Sequence, residues 1–126
     1  MHTEIFFTRE SIVIPPLALP SREIGAHVEF QGIVRELERG TPLTGLQYEA
    51  YESMARRLLE RHFAQLATKH PCTAVLFIHR LGWVPVGEAS LFIRVLSSHR
   101  SEGLRFLSDA IDCLKQDVPI WKRTDG

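Results

Sequence analysis

Residues 73–116, TAVLFIHRLGWVPVGEASLFIRVLSSHRSEGLRFLSDAIDCLKQ, decide the fold. Residues 73–79 form a nearly continuous apolar run of strand length, Gly82 and Pro85-Val86-Gly87 are turn punctuation, and a second strand pattern runs from Ala89 to Leu96. The two strands are predicted to pair antiparallel. From Ser101 to Gln116 the apolar residues change to helical spacing, with Leu104, Leu107, Ile111 and Leu114 on one stripe and Phe106, Ala110 and Cys113 widening it. Pro119 puts the end of this helix near Gln116 or Asp117.

Earlier in the chain, Met54, Leu58, Leu59, Phe63 and Leu66 repeat with helical period between Glu52 and His70, and Pro71 stops that helix. Glu52 and Arg56 are spaced to pair on its exposed side. Before it, Val28, Phe30 and Val34 alternate, with Gly32 on the same side, so Ala26 to Val34 reads as a strand with one buried face. Leu46, Tyr48 and Ala50 alternate in a second run, and the polar stretch 35–44, with Gly40 and Pro42, is expected to join the two as a hairpin with a long mobile loop. Residues 4–14 are rich in aromatic and β-branched types and predict one or two short strands before Pro15-Pro16. The order strand, strand, helix, strand, strand, helix predicts an α+β domain over 1–126, its mainly antiparallel sheet covered on one face by two helices.

Bulk properties narrow the function. The chain has 126 residues, 44% hydrophobic and 24% charged, the composition of a globular protein. Fifteen basic residues balance fifteen acidic ones, so the positive field that accompanies nucleic-acid binding is missing. The sequence shows no signal-peptide pattern and no membrane-length apolar stretch, and the expected location is cytoplasmic. Cys72 and Cys113 have no Cys-x-x-Cys spacing, and the six histidines show no His-x-x-x-His or His-Glu-x-x-His pattern, so no metal site is expected. No P-loop, Gly-x-Gly-x-x-Gly or nucleophile elbow is present.

The chemistry-bearing residues gather late. At Ser97-Ser98-His99-Arg100-Ser101 a strand meets a helix whose first N–H groups lack internal partners, a place that suits an anion. Arg100 offers a fork for phosphate or carboxylate, and His99 donates or accepts according to its protonation. Lys115 falls in the last turn of the helix, and Lys122 follows after Pro119-Ile120-Trp121. A chain folding back at Pro119 would turn both ammonium groups toward one pocket near Arg100. Arg35, at the end of a strand, and His79-Arg80, at the end of another, are further cationic candidates. The plain alternative is that a serine caps the helix, Lys115 complements its dipole, and the remaining cations are solvated.

Seven pieces occur in order: Phe30-Gln-Gly32-Ile-Val34-Arg35, Leu46-Gln-Tyr48-Glu49-Ala-Tyr51-Glu-Ser-Met54-Ala55, His79-Arg80-Leu-Gly82, Val86-Gly87-Glu88, Ser98-His99-Arg100, Ile111-Asp112-Cys-Leu114-Lys115 and Val118-Pro119-Ile120-Trp121-Lys122. Together they resemble the family of catalytic large subunits of molybdopterin synthase. The resemblance implies an α/β-hammerhead fold and a homodimer within a heterotetramer. Each subunit would bind a small ubiquitin-like sulfur carrier through its Gly-Gly C-terminus. It also implies transfer of sulfur from the carrier's thiocarboxylate to a pterin phosphate, cyclic pyranopterin monophosphate (precursor Z), which forms the dithiolene of molybdopterin, with no cofactor. On the matching positions, Lys115 and Lys122 correspond to the catalytic lysines, His99 and Arg100 to the anion-binding pair, and Arg35 to an arginine of the same pocket. The family pattern continues past the second lysine with a charged, tryptophan-containing segment, whereas this sequence ends Arg123-Thr124-Asp125-Gly126. The alternative reading is a module of the same fold that holds an anion or a tail without turnover.

Overall fold

The computed structural model describes residues 1–123, so Thr124-Asp125-Gly126, where the family's charged extension would begin, lie outside the described residues. The elements are β1 (His2–Thr8), β2 (Ala26–Ile33), β3 (Leu37–Glu38), β4 (Thr41–Pro42), β5 (Gly45–Ala50), α1 (Glu52–Lys69), β6 (Ala74–Arg80), β7 (Gly82–Pro85), β8 (Ala89–Ser97), α2 (Arg100–Asp117) and β9 (Ile120–Arg123). The architecture is α+β, as the pattern of periods predicts.

The main sheet has the order β1-β6-β8-β2. β6 and β8 pair antiparallel as expected, β2 lies antiparallel on the other side of β8, and β1 runs parallel to β6. Leu91, Ile93 and Val95 of β8 join Leu59 and Phe63 of α1 and Phe106 and Leu107 of α2 in the principal core. The alternate residues Phe92, Arg94 and Leu96 face the other side and are also buried, because the segment between β1 and β2 crosses that face. Arg94 secures it, donating through Nη2 to the Pro15 carbonyl at 2.8 Å and through Nε to Glu29 Oε2 at 2.7 Å. Burial pushes the Glu29 carboxyl up, but its bonds to Arg94 and His27 outweigh burial and hold it below the usual carboxylate range.

The helices run antiparallel, and their C-terminal halves are tied at two points. His62 Nε2 donates to Asp117 Oδ2 at 2.6 Å, and His70 Nε2 donates to Asp109 Oδ2 at 2.9 Å. The apolar stripes sit slightly differently from the expected ones: Met54 and Leu104 are exposed, while Ala55 and Gly103 are buried. Gly103 is needed there, since a Cβ would lie 2.7 Å from Ser97 Oγ. Arg56 does not pair with Glu52; its Nη1 donates to the Ile5 carbonyl at 2.6 Å and covers the edge of β1.

The expected hairpin between residues 26–34 and 46–50 does not form. β2 pairs with β8, whereas β5 is the centre of a separate three-stranded sheet, β7-β5-β9. The cause is local: the register shifts between Gly32 and Ile33, and Val34 N–H then donates to the Glu88 carbonyl while the Val34 carbonyl accepts from Gly87 N–H, turning the chain out of the main sheet. The expected loop 35–44 holds the β3–β4 hairpin, closed by Arg39 (φ 51) and Gly40 (φ 80). Positive φ at both central residues makes it a two-residue turn matched to strand twist. Only β1 forms in the aromatic stretch at the N-terminus. Among the described residues no helix is long and apolar enough to cross a membrane.

Candidate functional site

Lys122 occupies the third position of β9, paired in register with Tyr48 of β5, so the two side chains share one face of the small sheet. Its Nζ donates to Glu38 Oε1 at 3.1 Å, although 84 positions separate the two residues. The hydrogen bond from Lys122 is the main force holding the Glu38 carboxyl below the usual range; burial opposes it, and Lys122, Arg35 and Arg39 add attraction through space. Lys122 is in direct contact with Glu38, and Arg35 and Arg39 act on the same carboxylate through space. Arg35 acts on the same carboxylate as Lys122, and neither Glu38 nor Arg39 was among the residues expected from the sequence. Their signal was the charged run Arg35-Glu36-Leu37-Glu38-Arg39, which reads as a solvated loop until its hairpin turn is seen.

Tyr48 is backed by His79, with ring centroids 5.1 Å apart and edge-on. His79 is only 4% exposed, and its Nδ1 donates to the Arg80 carbonyl at 2.8 Å. Burial drives its pKa down to about 4, so it stands neutral behind the site. On the opposite face of β9, Trp121 meets Tyr51 edge-on at 5.1 Å.

The second group of expected site residues lies elsewhere. His99 is the N-cap of α2, supplies no side-chain cap and is largely solvent-exposed; its Nδ1 stands 3.8 Å from Glu102 Oε2. Ser97, the expected capping type, is buried and donates to the His99 carbonyl at 2.7 Å. Arg100 opens α2, and Lys115 lies in its last turn, both exposed. Fifteen residues at the helical rise separate them by about 22 Å along the axis. The expectation that Arg100 and the two lysines share one pocket therefore fails within a single chain: a straight helix holds its two ends apart.

Neither cysteine is a ready nucleophile. Burial pushes the Cys72 thiol up to about 11, and burial with nearby carboxylates raises Cys113. Among the described residues no group of three or more His, Cys, Asp or Glu side chains is placed to hold a metal ion.

Against known proteins, the family model described as MoaE protein matches residues 8–117. The human molybdopterin synthase catalytic subunit is 41% identical over 112 residues, which are 89% of this chain and 56% of that protein. The chain thus spans little more than half of that relative's length. A crystal structure of molybdopterin synthase from Staphylococcus aureus superposes with a TM-score of 0.81 at 32% identity, covering 92% of this chain and 86% of the other. A complex of subunits 1 and 2 of molybdopterin-converting factor from Helicobacter pylori superposes at 0.67 with 26% identity, covering 80% of this chain and 66% of the other. With its match to the family model over most of its length, the chain belongs to the MoaE protein family.

Proposed function

We propose that this chain is the catalytic large subunit of a cytoplasmic molybdopterin synthase. It transfers sulfur from the thiocarboxylated C-terminus of a small ubiquitin-like carrier to cyclic pyranopterin monophosphate. The observation that carries the reading is the contact of Lys122 with Glu38, a carboxylate on which Arg35 and Arg39 also act, in a chain of this family. Both reactants are anions, a phosphate and a thiocarboxylate, and fixed cations gather them without any further group.

Lys115 and Lys122 are the catalytic pair. The carrier's sulfur forms the new C–S bond on the pterin side, and a lysine ammonium gives its proton to the oxygen that leaves as water. Water then adds at the carrier's carbonyl, the acyl C–S bond breaks, the carrier departs as a carboxylate, and the released proton returns to the amine. His99 and Arg100 hold the phosphate. Since α2 keeps them about 22 Å from Lys115 in one chain, the full set assembles from two copies, one giving the lysines and Arg35, the other giving His99 and Arg100.

The test is reconstitution: the chain, the thiocarboxylated carrier and precursor Z are incubated and the product is assayed as molybdopterin. Product formation is expected. Binding of the carrier with no product from wild-type protein would leave a holding module instead of an enzyme.

A further inference from the structure

The side chain of Lys122 is 46% exposed, and an ammonium on a flexible four-carbon stem has no fixed place unless something holds it. The hold comes from Glu38, whose side chain is only 18% exposed and whose Oε1 accepts from Lys122 Nζ at 3.1 Å. Ion pairs in open water are screened and contribute little, whereas a pair with one partner largely out of water is screened less. The hairpin decides where that carboxylate stands. Glu38 pairs with Thr41 across the turn, and Arg39 beside it takes φ 51, a left-handed conformation that is unfavourable for a residue with a Cβ. The hairpin does not need the ion pair to stay in place: Leu43 packs with the buried Val34, Leu46 and Val84, and Val86 N–H donates to the Thr44 carbonyl at 3.0 Å. Its base is anchored by apolar contact, and its tip is free to serve Lys122.

An ammonium offers three N–H donors, and a carboxylate that takes one of them in a set direction aims the others. A carboxylate so close to the reaction would also repel an anionic reactant, but Arg35 and Arg39 act on the same group through space and offset its charge. We propose that Glu38 is a positioning residue of the sulfur transfer: it touches neither reactant, and it holds the Lys122 ammonium on the Tyr48 face of the small sheet, aimed to deliver its proton. The proposal rests on the reading of Lys122 as a catalytic lysine and adds the residue that orients it. Orientation of a proton donor acts on the chemical step and not on affinity, so the effect of Glu38 belongs to kcat.

The experiment uses the full chain with thiocarboxylated carrier and precursor Z, and compares Glu38→Asp, Glu38→Gln and Glu38→Ala with wild type by steady-state kinetics. The mobility of the Lys122 side chain is followed in the free proteins by NMR relaxation at its Cε methylene. Glu38→Ala should lower kcat about tenfold while Km for precursor Z stays within about twofold, and the Lys122 Cε should become more mobile. Glu38→Gln, of the same size without the charge, should fall between, and Glu38→Asp should recover most of kcat. Denaturation midpoints should agree across the set, because the hairpin is anchored at Leu43. An unchanged kcat in Glu38→Ala, a loss carried by Km, or a Lys122 side chain equally mobile in wild type and Glu38→Ala would overturn the positioning role and leave the sulfur-carrier reading standing. If wild type itself forms no molybdopterin, both fall.

Discussion

Arg100 and His79 show how differently two residues at strand and helix ends behave. Arg100 is exposed at the start of α2, with nothing in the fold depending on its charge. If Arg100 holds the phosphate as proposed, Arg100→Ala should raise the apparent Km for precursor Z at least about tenfold, the worth of a charge-assisted bond, and its exposure means stability should move by less than about 0.5 kcal/mol. An unchanged Km would put the phosphate elsewhere. His79, read from sequence as a possible cation, is a buried neutral ring supporting Tyr48. Its folded pKa is depressed to about 4 from the usual 6.5, so the unfolded chain takes up a proton that the folded one refuses. Stability from this group is present above pH 6.5 and is lost as pH falls toward 4, by at most about 3 kcal/mol. Urea midpoints measured across that window should fall more steeply for wild type than for His79→Gln, and equal slopes would contradict the assignment. The carboxylates of Glu29 and Glu38, held low, lose their contribution only further into acid.

At the scale of elements, periodicity located both helices to within a residue or two, since eighteen residues of 3.6-fold rhythm leave little room for error. Strand partners were not legible, because pairing is settled by what lies across the finished fold. β2 and β5 look like neighbours in sequence, yet the shift at Gly32/Ile33 and the bonds of Val34 send them to different sheets. The Lys122–Glu38 contact was hidden for the same reason: β9 returns to β5, and the β3–β4 turn comes over from the other side. The separation of Arg100 from Lys115, by contrast, was already contained in the expected helix, whose length sets its ends apart. The small sheet also depends on close approach at Gly45, where a Cβ would lie 2.5 Å from the Trp83 ring and 2.6 Å from the Val84 carbonyl. Gly45→Ala should cost about 1–3 kcal/mol in chemical denaturation and change the Trp83 fluorescence, because ring and strand must both shift. An unchanged midpoint would mean that the β5–β7 contact is looser than its geometry.

For the whole molecule, the split of the proposed site residues between the two ends of α2 carries a prediction about assembly. If each site takes lysines from one copy and His99 with Arg100 from the other, mixing Lys115→Ala with Arg100→Ala, at precursor Z well below the raised Km of the latter, should give more activity than the two variants give separately. Random exchange in a two-fold dimer gives one intact site in each mixed pair, about a quarter of wild-type turnover. No recovery after proven subunit exchange would mean that both sets serve within one copy, against the helix geometry. The central claim is that this chain moves sulfur using Lys115 and Lys122. It is tested most directly by a single-turnover assay in which wild type and Lys115→Ala are each mixed with thiocarboxylated carrier and precursor Z, with molybdopterin quantified. The wild type should form product; Lys115→Ala should form none while it still binds the carrier and keeps its stability to within about 1 kcal/mol. Equal product from both proteins would contradict the account.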